Sequence, residues 1–575
     1  MTEQSKSRLF FIFVFYLALS ILATWPLAIS FNRYPLFDHL DINATIYNFW
    51  WQYYAMFDLK QSPWFNPIIN YPDGYSMVFY PLYLSYGILS FPFQALAGTP
   101  RAIPGCFHWI SILSFALTGW LGFLLFQKLS NSKTAGIVAG ILFTFLPFHF
   151  WHLPRCHTSC LELVLLPIYF YFRLLDEKKL KNGIYFGLAL VPLFYQSPNY
   201  LVYLTIFFGL NLIYLLATDR KALDQKCLGA LLLSFALAIF LSLPYLMEVI
   251  RELLKQTTPA LSTLEEQTLY SADLLGLVLP GFNQKIYAPL GRAAEILIGP
   301  SGVSGKEIFP GYLLLGSGLA GIFLARKKVR DYGFWLLILL ACLILSLGPY
   351  LNLAGHTFYH FPLPYFYLRK IFPFFEMDRS PVRIVIFSLL ALAVFSAGFF
   401  RWLEEKIPSR KKNLLFLLIA AAGLMELNQA PIKVDRVPLP RLYQEIAQEP
   451  DKFTVLDLPL LPDIYRYSGF FQISHKKYLA IDLTARKVGA VFSEDPLFFY
   501  LDEPLRFFEL GPEKQGRIKE QIRSELKRRK VKYVIIYLKF VDPEKKADLD
   551  RLLRGLGPEK DFASEDLFRV YQFRI

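Results

Sequence analysis

Charge is scarce in this chain: Asp, Glu, Lys and Arg make up 18% of its 575 residues, against 54% hydrophobic residues. Soluble domains carry about a quarter charged residues, so the balance excludes an ordinary soluble protein. Cysteine is scarcer still. Five are present and none lies beyond Cys342, which rules out a disulfide framework in the last two fifths of the chain. No internal repeat or low-complexity tract is evident, and the C-terminal segment carries no phosphate loop, nucleophile triad or metal-ligand cluster. What the chain has in abundance is aromatic side chains, 55 Phe and 34 Tyr.

Apolar stretches long enough, or nearly so, to cross a bilayer recur near 8–29, 79–97, 106–126, 134–151, 159–175, 183–197, 200–217, 227–249, 311–325, 333–350, 381–400 and 412–427. They predict an α-helical polytopic membrane protein with about 11–13 transmembrane helices. The first stretch follows Lys6 and Arg8 without a convincing cleavage site and reads as a retained span. The formal charge of +14 does not point to nucleic acid, because the cations sit in short connections. These are "QKLSNSK" (127–133), "RLLDEKKLKN" (173–182), "TDRKALDQK" (218–226), "ARKKVRD" (325–331) and "RWLEEKIPSRKK" (401–412), cytoplasmic by the positive-inside rule. The alternating connections, including 30–78, and everything after 428 then face outward. That parity requires 79–97 to be re-entrant or interfacial rather than a full crossing. The expected localisation is the plasma (inner) membrane, with membrane lipids as partners.

After residue 432 the composition shifts to 27 Lys/Arg and 23 Asp/Glu with short β-rich runs. "FTVLDLP", "KYLAI", "KYVIIYL" and "FRVYQF" predict strands, and 513–531 and 543–555 predict helices. The expected organisation is a transmembrane domain over 1–430 and a small extracytoplasmic α/β domain over 431–575.

The stretch "YPLFDHLDINATIYNFWWQYY" (34–54) places Asp38 and Asp41 before a helix whose apolar residues Ile42, Ile46, Phe49, Trp50 and Tyr53 recur at helical spacing. Such a helix, with Trp and Tyr, suits the membrane interface. A carboxylate there caps a helix N-terminus, or it does chemistry at the membrane edge; the residues leave both open. "EMDRSPVR" offers Arg379 and Arg383 on one face at the outer start of a span, suited to forked phosphate contacts or to snorkelling towards headgroups. "HFWHLPRCHTSC" (149–160) contains His149, His152, Cys156, His157 and Cys160 at spacings a transition metal could use. His152 alone could line a pocket instead. Glu162, an acid in an apolar run, needs a cavity or a partner, and Asn199 in "YQSPNYL" sits in a tight turn able to hydrogen-bond sugar hydroxyls.

"FDHLDINATIYNFWW" resembles the first outer loop of bacterial GT-C-type membrane glycosyltransferases, with a D-x-x-D-x(6)-N-x-W-W pattern on Asp38, Asp41, Asn48, Trp50 and Trp51. The likeness continues through "FNPIINYPDGYSMVFYPLYLSYGILSFPFQALAG", "GILFTFLPFHFWHL" and "RSPVRIVIFSLLALAVFSAGFF" and covers most of the chain. It implies a GT-C-like fold and a hexosyl- or pentosyltransferase. The donor would be a polyprenyl-phosphate-linked sugar, and the acceptor a lipid, glycan or protein of the cell envelope. It implies Asp41, then Asp38, as catalytic base or metal ligand. Arg379, Arg383, His152, Glu162, Asn199 and Trp51 would bind substrate. It fixes no cofactor and leaves room for a divalent metal ion. Two other classes fit the residues less well: a lipid or polysaccharide transporter or flippase, which repeats or broken helices would announce, and a non-catalytic scaffold of envelope assembly.

Overall fold

The computed structural model describes all residues except 1–2, 36–38, 98–102, 256–260, 282–283, 299–307, 437–438, 482–494, 565–566 and 575. The chain divides into two compact units, one formed by residues 1–31 and 107–434, the other by 32–106 and 435–575. The boundary expected at 430/431 thus differs from the packing in one respect. Residues 32–106 group with the C-terminal part.

The first unit is a polytopic helical bundle. Among the described residues, six helical segments are long and apolar enough to cross a membrane: Ile103–Ser130, Lys133–Trp151, Cys156–Glu177, Pro198–Thr218, Gln225–Leu254 and Pro381–Lys406. Three shorter apolar helices, Ser7–Ala23, Tyr312–Leu324 and Tyr332–Ser346, accompany them. The helix Val385–Lys406 is the centre. Its sequence, "VIFSLLALAVFSAGFF", is apolar on every face, and residues 385–398 are buried throughout. Lys133–Thr144, Tyr312–Leu324 and Tyr332–Ser346 pack around it. Close approach depends on small residues. A Cβ on Gly321 would fall 2.0 Å from the Phe395 carbonyl oxygen, and Ser317 and Ser396 share a hydrogen bond of 2.7 Å.

The five basic connections meet at one end of this bundle. Asp176 bonds both Lys128 and Arg330; Lys178 pairs with Asp224 at 2.9 Å and Lys328 with Glu405 at 2.7 Å; Ser132 donates to Glu404.

The second unit is built on a five-stranded sheet ordered Lys560–Ser564, Phe568–Gln572, Val531–Tyr537, Thr454–Leu458, Tyr478–Leu479. The last three strands are parallel and the first two antiparallel. Thr454–Leu458, "TVLDL", is buried at every position, as a strand covered on both faces should be. Helices Pro512–Arg528 and Pro543–Gly555 bury Ile522, Leu526, Leu549, Leu552 and Leu553 in the same core as Leu456, Val534 and Ile536. The N-terminal segment is sewn to the sheet edge: Leu479 N–H donates to Ile68 O at 2.9 Å, and Tyr71 N–H and Asn70 N–H donate to Leu479 O and Ile481 O at 3.0 Å. The helix Leu84–Ala97 has 14 residues with Pro92 inside. It is about 21 Å long, short of the ~30 Å of hydrocarbon in a bilayer.

Candidate functional site

Four of the side chains singled out in the sequence come together in the first unit, at the ends of the spans away from the basic connections. The loop after Trp151 is tied to the turn at 196–200. Gln196 Nε2 donates to Cys156 O at 3.2 Å and Tyr200 Oη to Thr158 O at 2.6 Å. His152 is buried, its ring 4.4 Å from that of Phe148. Burial, then the charges of Arg155 and Arg383, hold the His152 imidazole well below its usual range, so it is neutral at pH 7. Glu162 is buried and accepts a hydrogen bond from Ser114 Oγ at 2.6 Å. The Tyr200 phenol lies in the fields of both Glu162 and Arg383, which links these groups into one polar cluster.

The organising residue is one that the sequence reading did not select. Asp378, 2% exposed, accepts hydrogen bonds from Asn199 Nδ2 at 3.3 Å, Tyr365 Oη at 3.2 Å, the Ser380 N–H at 3.3 Å, and Tyr203 Oη. Gln267 Nε2 secures the same turn by donating to Phe375 O at 2.6 Å and Asp378 O at 2.9 Å. A buried carboxylate persists only with such donors around it. Burial, reinforced by Asp378, raises the Tyr365 phenol far above its ordinary range, so it stays a donor. The signal in the sequence was a lone acid between an aromatic run and two arginines, "FPFFEMDRSPVR". Asn199 therefore spends its amide on Asp378, while Arg383, half-buried one turn later, starts the central span.

Arg379 is engaged elsewhere in this unit. Its Nη2 donates to Tyr270 Oη at 3.1 Å, its guanidinium lies 4.6 Å over the Tyr270 ring, and its Nε is 3.6 Å from Glu266. The transition-metal reading of 149–160 does not hold: among the described residues no three His, Cys, Asp or Glu side chains converge on a metal position. His149 Nδ1 donates to Thr144 O at 2.9 Å and its ring stacks on Phe115 at 3.7 Å. Cys160 Sγ donates to His157 O at 3.6 Å.

In the second unit the helix His39–Tyr53 carries Asp41 in its first turn, where the positive end of the helix dipole favours an acid. Asp41 is paired with Arg466 at 3.2 Å, a partner supplied by the helix Pro462–His475. Asp38 lies outside the described residues. The expected interfacial, amphipathic setting of this helix is corrected by its burial. Asn43, Asn48 and Gln52 on the polar face are as buried as Ile42, Ile46 and Phe49. Asn48 donates to Pro81 O at 2.8 Å and Gln52 to Leu82 O, so protein carbonyls replace water on that side. Across the other side, Asn66 Nδ2 donates to Tyr47 Oη and Tyr47 Oη to Gln472 Oε1, both at 2.9 Å. Trp51 lies on the same helix. It is fully buried and its indole N–H is committed to Pro63 O at 3.0 Å, so it holds the loop in shape.

No curated protein matches the chain. The structure is similar to that of the archaeal oligosaccharyltransferase AglB from Archaeoglobus fulgidus, solved in complex with an inhibitory peptide and a dolichol-phosphate. The likeness has a TM-score of 0.45 and 12% identity, over 100% of this chain and 75% of that one. At that level it supports no argument about activity. The family model of DUF6311, a domain of unknown function, matches residues 10–425, and the chain belongs to that family.

Proposed function

We propose that the chain is a GT-C-like membrane glycosyltransferase that moves a sugar from a polyprenyl-phosphate-linked donor to an envelope acceptor on the extracytoplasmic face. The observation that carries this reading is the polar cluster at the span ends: Arg383 and Arg155 around a neutral His152, next to the hydrogen-bonded carboxylate of Asp378. Cleaving the bond between sugar C1 and the carrier's phosphate leaves an anion. Guanidinium groups held at the membrane edge stabilise such a leaving group best. Arg383 takes that role, and Arg379, stacked on Tyr270, supplies a second cation on the same stretch of chain. The acceptor hydroxyl must lose a proton as it attacks, and a carboxylate within about 3 Å is the simplest base. Asp41, paired with Arg466 at 3.2 Å in the second unit, is assigned that role, with Asp38 as its neighbour in sequence. Asp378 is a positioning residue, ordering Tyr203, Tyr365 and Asn199 beside the cations.

The test is sugar transfer by the purified protein in nanodiscs, supplied with a panel of polyprenyl-phosphate sugars and envelope acceptors. Asp41→Asn should lower the rate by about 10²-fold or more, the usual weight of a general base. Arg383→Ala should lower kcat/KM for the donor while the acceptor KM holds. Full activity in Asp41→Asn and in Asp38→Asn would remove both carboxylates from the chemistry.

A further inference from the structure

Between the helix Tyr332–Ser346 and the span starting at Pro381, the chain forms a β-hairpin, Tyr350–Leu353 and His356–Pro362, followed by a short helix, Pro364–Ile371. The hairpin is rigid at its turn. Ala354 and Gly355 have φ of +51° and +77°, the left-handed pair that a two-residue hairpin turn requires. Their N–H groups donate to the Asp273 carboxylate at 3.1 and 2.8 Å. A Cβ on Gly355 would meet the Ile298 carbonyl oxygen at 2.6 Å, so the turn sits directly on the end of the helix Ala288–Ile298. Asn352 Nδ2 donates to Thr268 O at 3.0 Å.

At its other end the hairpin is irregular. Leu351 pairs with Phe358 and Tyr350 with Pro362, so residues 359–361 bulge out opposite nothing. The bulge thrusts Tyr359 and Phe361 outward at 61% and 63% exposure. The following helix does the same with Ile371, 66% exposed, and with Tyr367. An aromatic row joins the two elements: the Tyr359 ring lies 5.2 Å from Tyr350, Tyr350 lies 5.6 Å from Phe366, and Lys370 Nζ lies 4.5 Å over Phe366. The segment 347–375 contains Arg369, Lys370 and two histidines and no acid.

In water, a two-stranded hairpin exposing large rings on a bulge is a poor arrangement. Within hydrocarbon it is worse, because the free strand edges leave backbone groups unsatisfied. The zone between, where headgroups and glycerol meet the acyl chains, takes both: rings partition into it, backbone and cations stay hydrated, and Lys and Arg reach phosphate. The tether lengths agree, since three residues separate the hairpin from the preceding apolar helix.

We infer that the 350–371 hairpin and helix form an in-plane membrane-interface wedge. Tyr359 and Phe361 insert at the level of the lipid carbonyls, and the exposed Lys370 contacts headgroup phosphates, while Arg369 ties the helix to the bundle through its bond to Ser262 O at 2.9 Å. The occupant of this apolar face is lipid of the surrounding leaflet. This assignment does not depend on the transferase reading and survives its failure.

All five native cysteines are buried, so a single introduced cysteine can be labelled selectively. The full-length variants Tyr359→Cys, Phe361→Cys and Ile371→Cys would carry a nitroxide in phosphatidylcholine/phosphatidylglycerol nanodiscs. Power-saturation EPR then compares relaxation by oxygen, which concentrates in lipid, with relaxation by a water-soluble nickel chelate. Glu513→Cys on an exposed helix of the second unit serves as the aqueous control. The wedge requires oxygen to dominate at 359 and 361, with the reverse at 513. Dominance of nickel at all three wedge positions would place them in water. Weak relaxation by both reagents would mean protein covers them, whether another segment or a second copy. Either result overturns the proposal.

Discussion

Asp378 and Asp457 are both buried carboxylates, and their surroundings give them different consequences. Asp378 collects four donors. Replacing it by Ala strands two phenols, an amide and a backbone N–H, at a cost of about 3 kcal/mol, the scale for breaking a buried charged network. Thermal unfolding of the purified Asp378→Ala protein should show it. Asp457 sits in the second unit with Tyr443 Oη donating to it at 2.7 Å, and burial pushes its carboxyl up to about 6 from 3.8. The folded state therefore holds a proton that the unfolded state has lost between pH ~4 and ~6. That group's share of stability falls as pH rises through this window, by up to about 3 kcal/mol. His475, stacked on the same Tyr443 ring, is pushed down to about 3 from 6.5 by burial, with Lys477 adding to it. There the unfolded state binds the extra proton, so its share of stability rises with pH over ~3 to ~6.5. In the wild type the two slopes oppose each other. Amide exchange at 454–458 should gain protection with pH in Asp457→Asn and lose it in His475→Asn.

Among the elements, those with strong periodicity were legible from sequence. "KYVIIYL", "FTVLDLP" and "FRVYQF" are strands, and 513–531 and 543–555 overlap the helices Pro512–Arg528 and Pro543–Gly555. The edge strand Lys560–Ser564 was not, because it is exposed and charged and has no apolar alternation to reveal it. The helix His39–Tyr53 was placed correctly and its setting was not. Its polar residues find backbone carbonyls at 81 and 82, and sequence spacing cannot distinguish those from water. The same limit hid Asp378 and Arg466, whose roles come from partners more than a hundred residues away. Among helix pairs, Gly183 and Gly187 bring the helix Leu180–Gln196 onto Gln225–Leu254. A Cβ on Gly187 would fall 2.6 Å from Ser234 O, and Ser234 Oγ donates to Gly183 O at 2.7 Å. Gly187→Leu should cost about 1–3 kcal/mol, the scale of overpacking. A lower Tm for Gly187→Leu than for the solvent-side Lys181→Leu would check it.

At the scale of the whole molecule, the positive-inside pattern predicted one shared end for the five basic connections, and ion pairs such as Lys128–Asp176 and Lys178–Asp224 do gather them. The division into units was less legible, because residues 32–106 carry no composition shift that would assign them to the C-terminal part. Their dependence on it is testable. A chain ending at residue 434 loses the partners of Tyr47, Ile68 and Tyr71 on Gln472 and Leu479. Limited proteolysis in nanodiscs should then cut within 60–80, where the full-length protein resists.

The bond between Tyr47 and Gln472 closes across 425 residues of chain. At ~5–20 residues per second, the ribosome needs roughly 20 to 90 s to deliver the second partner after the first. For that interval the early segment, with its buried Asn, Tyr and Trp side chains, has none of the 462–481 partners that complete its packing, while the intervening spans enter the bilayer. Folding of this chain is thus ordered by synthesis: the membrane bundle can be complete before the earliest translated loop has its final neighbours. Holdase chaperones acting on that side of the membrane would have their natural client in residues 39–97.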